Sequence, residues 1–116
     1  MNEKEYQVAY QVEQLQKILE SIDAQLNEVV ATKESLEEIK KLKGDEQILF
    51  PVANGIFAKG KLSDSKILRM NVGNNVVVEK TVDDAIEMMQ RQYSEIDEYR
   101  IQLSAQLESL LKELQE

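Results

Sequence analysis

The residues best suited to chemistry in this sequence are two adjacent carboxylate pairs, Asp45-Glu46 and Asp83-Asp84. Such pairs can ligate a hard cation or share a proton in acid–base work. Their placement favours a plainer role, because one pair follows a helix end and the other opens a helix, where acids are solvated or stabilise the first turn. The 116 residues include no Cys and no His. Zinc and iron–sulfur sites therefore lack their ligands. The Ser-His and Cys-His nucleophile pairs cannot be assembled, and the usual general base is missing. Gly55 and Gly73 are turn glycines, with no phosphate-cradling Gly-Lys-Ser/Thr pattern after either. These residues give no catalytic group, metal site or cofactor site, and an enzyme has almost no support.

Bulk properties narrow the choice further. Twenty-two acidic against fourteen basic residues leave a formal charge of −8, a field that repels nucleic acid and anionic lipid. No apolar run approaches the roughly 18–20 residues of a membrane span. The polar start, Met1-Asn2-Glu3-Lys4-Glu5, lacks a signal-peptide pattern. Absence of Cys fits a reducing compartment. The expectation is one soluble, cytoplasmic domain that binds neither nucleic acid nor membrane.

Three zones position these residues. From about Glu5 to Lys43 there is no Gly or Pro, and Val8, Val12, Leu15, Leu19, Ile22, Leu26 and Val29 recur at alternating spacings of four and three. That is a heptad seam with Val12, Leu19 and Leu26 at a, and Leu15, Ile22 and Val29 at d. Lys33 interrupts an a position, and Leu36, Ile39 and Leu42 resume in a shifted phase. Lys40, Lys41 and Lys43 suit the negative helix end, and Gly44 suits the cap. The last zone, from Val82 to Glu116, places Ile86, Tyr93, Arg100, Leu107 and Leu114 at a, with Val82, Met89, Ile96, Leu103 and Leu110 at d. Thr81 is its expected N-cap. Two helices of this kind, joined by a compact insert, should fold back as an antiparallel coiled coil. The flanking Gln11, Gln16, Gln25, Gln90, Gln92 and Gln106 are uncharged, so charge does little to select the partner helix. Arg100 and Lys33 at a positions either specify register or send their stems out to solvent; the second is favoured.

The middle zone, Gln47 to Lys80, reads as four short strands. Ile48–Val52 and Ile56–Lys61 flank Ala53-Asn54-Gly55, a strong hairpin turn signal. Lys66–Val72 and Val76–Lys80 flank Gly73-Asn74-Asn75, with Ser63-Asp64-Ser65 linking the two hairpins. Pro51 cannot donate a ladder bond, so it must face outward or lie at a bulge. The resulting segmentation is 1–44, 45–80 and 81–116, helix, paired hairpins and helix, within a single α+β domain.

Isolated hairpins are marginal, and these strands are apolar on both faces. Open strand edges invite pairing with another chain. A barrel or sheet shared between subunits is therefore expected, built on Ile48, Phe50, Val52, Ile56, Phe57, Leu68, Met70, Val76, Val77 and Val78. At the free ends of the coiled coil, Tyr6, Val8, Tyr10, Val12, Ile18 and Leu19 would meet Leu103, Leu107, Leu110, Leu111 and Leu114. Ile18 at g and Leu111 at e widen the strip beyond the seam. The plain interpretation is ordinary seam with frayed ends. The functional one is an adaptable apolar surface that grips unfolded chains.

Helix, two hairpins, helix, with Leu49-Phe50-Pro51-Val52-Ala53-Asn54-Gly55-Ile56-Phe57-Ala58-Lys59-Gly60-Lys61 and Val72-Gly73-Asn74-Asn75-Val76-Val77-Val78-Glu79-Lys80-Thr81, resembles the alpha-class subunit of the prefoldin family. Beta-class subunits are similar but have one hairpin. The resemblance implies a hetero-hexamer of two alpha copies, this chain and a second one, and four beta-class subunits around paired β-barrels. It further implies capture of unfolded client proteins at the coiled-coil tips and delivery to a group II chaperonin, without nucleotide or other cofactor. The sequence departs from the family in carrying no extended acidic tail after Glu116. A structural scaffold, or a homomeric, filament-forming relative, is the alternative.

Overall fold

Asn2 opens the first helix. Its Oδ1 accepts the Glu5 amide at 2.8 Å, and its Nδ2 donates to the Glu5 carboxylate at 3.4 Å, so cap and third residue satisfy each other. In the computed structural model, which describes residues 2–64 and 66–115, this helix (α1) runs Glu3–Lys41. Asn2 supplies the cap that starts it at Glu3, inside the expected segment 1–44, and it ends at Lys41, short of the expected end near Lys43 and Gly44. The Leu42 amide bonds the Ile39 carbonyl at 3.1 Å, and Gly44, at φ 89°, turns the chain away.

Four strands follow: β1 Gln47–Ala53, β2 Ile56–Lys61, β3 Ile67–Asn71 and β4 Val77–Thr81. They form two separate antiparallel pairs, β1 with β2 and β3 with β4. Asn54 at φ 48° and Gly55 at φ 79° adopt the two left-handed conformations that a two-residue hairpin turn requires. The ladder slips between Pro51 and Ala53, which puts the proline at the bulge its missing N–H demands. In the second hairpin the turn is closed by the Val76 amide on the Gly73 carbonyl at 2.9 Å, with Asn74 and Asn75 both at positive φ. Asn71 Oδ1 accepts the Gly73 amide at 2.9 Å. Val76 thus belongs to this turn, one residue before β4. Asp64 Oδ1 accepts the Lys66 amide at 2.8 Å, and Ser65 of the expected linker lies outside the described residues.

Thr81 ends β4 and caps the second helix (α2, Val82–Gln115), its Oγ1 accepting the Asp84 amide at 3.0 Å. The chain divides into two units, residues 1–31 with 90–116, and residues 32–89. In the first, Leu15, Ile22, Leu26 and Leu103 form a buried cluster, with Leu19, Ile96, Leu107 and Leu110 packed against it. This is the heptad seam, with a and d residues of α1 and α2 interleaved. In the second, Val82 and Ala85 are buried, the Val82 amide donates to the Lys66 carbonyl at 2.8 Å, and Lys40 Nζ meets Asp83 Oδ1 at 2.7 Å.

Candidate functional site

The β1–β2 hairpin leaves the most apolar surface uncovered. Leu49, Pro51, Phe57 and Lys59 alternate with Ile48, Phe50, Ala58 and Gly60 across the ladder. Large side chains on both faces meet solvent, Leu49 at 61% and Phe57 at 57% exposure on one and Phe50 at 39% on the other. Val52 and Ile56, beside the bulge and the turn, are exposed too. Phe50 leans across Gly60, where an added Cβ would come within 2.8 Å of the ring. Here a glycine makes room for an aromatic neighbour.

The β3–β4 hairpin is differently built. Leu68, Met70, Val78 and Lys80 share a half-buried face, whereas Ile67, Arg69, Asn71, Val77, Glu79 and Thr81 occupy an exposed one. Ile67 and Val77 are the large hydrophobics on that outer face. Val76, in the turn, is also exposed. The two hairpins therefore differ: one is apolar outward on both sides, the other chiefly on one.

Within the coiled coil the eleven expected tip residues divide sharply. Val8, Val12 and Leu103 are buried in the seam, and Leu19, Leu107, Leu110 and Leu114 are half-buried along it. Tyr6 at 65%, Tyr10 at 64%, Ile18 at 43% and Leu111 at 38% stand in solvent. Ile18 lines two neighbouring shallow depressions, one with Tyr10, Gln11, Gln14 and Leu110, the other with Gln25, Ile96 and Tyr99. The walls of both carry amides, hydroxyls and a single carboxylate, Glu95, so this flank of the helix pair is nearly uncharged.

Charge appears elsewhere. Arg100 donates from Nε and Nη2 to Asp97 Oδ1, at 3.1 and 2.9 Å. The hydrogen bonds donated to Asp97 and the negative field of that carboxylate hold the guanidinium pKa above its ordinary value. Asp83 does the same for Lys40, tying the end of α1 to the first turn of α2. Asp83 and Asp84 are thus engaged at the helix start, as ion-pair partner and as capped amide. Among the described residues no three His, Cys, Asp or Glu side chains are grouped to hold a metal ion. Among the described residues no helix is long and apolar enough to cross a membrane.

The sequence profile described as "Prefoldin subunit" matches residues 8–116. The chain belongs to the prefoldin family. A prefoldin subunit alpha 1 from Thermococcus kodakarensis is 36% identical over 96 residues, covering 77% of this chain and 66% of the relative. A prefoldin subunit alpha from Methanopyrus kandleri is 32% identical over 86 residues, covering 74% of this chain and 55% of that one. The chain thus spans somewhat less than two thirds of the length of these prefoldin relatives. Among solved structures, a filamentous PFD from Methanocaldococcus jannaschii studied by cryo-EM aligns with a TM-score of 0.86 at 19% identity, over 99% of this chain and 95% of that one. The prefoldin fold expected from the sequence, two long helices around two β-hairpins, is the fold observed.

Three features of this prefoldin chain escaped the sequence. Ala85 is completely buried although it lies at a g position; its spacing of three from Val82 was the available signal. Ile101 and Tyr99 are exposed apolar residues on the helix surface, outside any seam position. The Lys40–Asp83 pair joins residues far apart in sequence, which no local pattern indicates.

Proposed function

We propose that the chain is a subunit of an ATP-independent chaperone that acts in the cytoplasm, holding unfolded polypeptides and passing them to a group II chaperonin. It assembles through its hairpins with beta-class subunits and a second copy of itself, as two alpha and four beta subunits around shared β-barrels. It holds clients with the distal ends of its coiled coil. The observation that carries this reading is the set of large apolar side chains left in solvent beside a filled seam, Tyr6, Tyr10, Ile18 and Leu111. Exposed surface of this kind has no fixed geometry and suits partners without a common sequence. Val8, Val12, Leu19, Leu103, Leu107, Leu110 and Leu114 serve the same surface where the helix ends open, since closed helices cover them. On this reading no residue is catalytic and no cofactor is used.

The test replaces the exposed set alone, Y6S/Y10S/I18S/L111S, which leaves the seam intact. The assembled variant is mixed with a guanidinium-denatured enzyme on dilution, and aggregation is followed by light scattering. Retained assembly mass with several-fold weaker suppression is expected. Full suppression by the variant would refute holding at these tip residues.

A further inference from the structure

An aliphatic seam does not by itself distinguish one helix register from another. A slip by one whole heptad returns a and d residues to a and d slots. Arg100 removes this degeneracy. It sits at an a position of α2, half-buried, with Nε and Nη2 both donating to Asp97 at the e position one turn earlier. In an antiparallel pair the e positions of the two helices share a flank. The e positions of the α1 seam are Ala9, Gln16, Asp23 and Val30, so Asp23 is the acid among them. Asp23 and Arg100 line one depression together with Leu26 and Tyr93.

We propose that Arg100, braced by Asp97 and set beside Asp23, fixes the register of the antiparallel helix pair. Slipping α1 by one heptad in either direction places Gln16 or Val30 where Asp23 stands. The guanidinium then keeps its partial desolvation and loses the cross-helix carboxylate. Either one-heptad slip is penalised, while the right register gains little stability, which is how a charged seam position confers uniqueness. Leucine at the same position would fill the seam equally well in each register.

The test uses the full chain with spin labels at S21C and S109C, two exposed sites on opposite helices. Labelling is specific because the chain has no Cys of its own. Pulsed dipolar spectroscopy of the parent should give one narrow distance. R100L should add a second population, from a slip of about 10 Å along the axis, with a melting temperature unchanged or raised. D23N should broaden the distribution in the same sense, and R100K, which keeps the charge, should retain the single peak. A single unchanged distance in both R100L and D23N overturns the proposal. So does a lowered melting temperature in R100L with its register intact, which would make Arg100 a structural residue only.

Discussion

Gly60 shows how much one missing Cβ decides in a thin hairpin. The Phe50 ring lies over it, and an alanine Cβ would approach Cε2 to 2.8 Å. The ring must then swing off the strand, at a cost below the roughly 1–3 kcal/mol of overpacking in a closed core, because Phe50 is 39% exposed. G60A is accordingly expected to lower the denaturant midpoint of the assembled protein and to move the Phe50 ring resonances. An unchanged midpoint with an unmoved ring would contradict this packing. The turn residues were legible in the sequence because their chemistry is local. Asn54-Gly55 needs two positive φ angles and nothing else. The Phe50–Gly60 approach was not legible, because both residues also fit an ordinary alternating strand and only the cross-strand register brings them together.

At the scale of elements, Thr81 is a junction without a loop. It is the last residue of β4 and also the N-cap of α2 through the 3.0 Å bond from the Asp84 amide. T81A removes that acceptor, with an expected cost of about 1 kcal/mol. Amide hydrogen exchange should show the loss confined to the first turn of α2. Uniform loosening along the helix would mean that Thr81 matters for another reason. The cap was readable from a Thr before an Asp-Asp pair, and the heptads were readable because a 3.5-residue period is written into each helix separately. The cap of α1 was not singled out, because Asn2 and Glu5 act together, a spacing that only a capping pattern reveals. For β1 and β2 the sequence does not say which face is covered, because apolar residues stand on both sides; in β3, Leu68 and Met70 alternate with Arg69 and Asn71, and the half-buried face follows that alternation.

For the whole molecule, the two hairpins make unequal claims on neighbours. The β1–β2 pair shows apolar side chains on both faces, and the β3–β4 pair does so chiefly through Ile67 and Val77. If the hairpins are the assembly surface, a charge buried there without a partner is costly. F57D is expected to shift native mass from the oligomer to single subunits, whereas S109D, exposed on α2, should leave it unchanged. Persistence of the full mass in F57D would remove this hairpin from the interface. By itself the sequence determined the helices, the turns, the two-hairpin insert and the family, because each depends on short-range periodicity, backbone angles or motif spacing. The tertiary structure decided which expected tip residues are covered by the seam and which stand in solvent, how Arg100 lies beside Asp23, and how Lys40 meets Asp83. Those outcomes depend on the register and packing of segments distant along the chain, and a repeating aliphatic pattern is compatible with several of each.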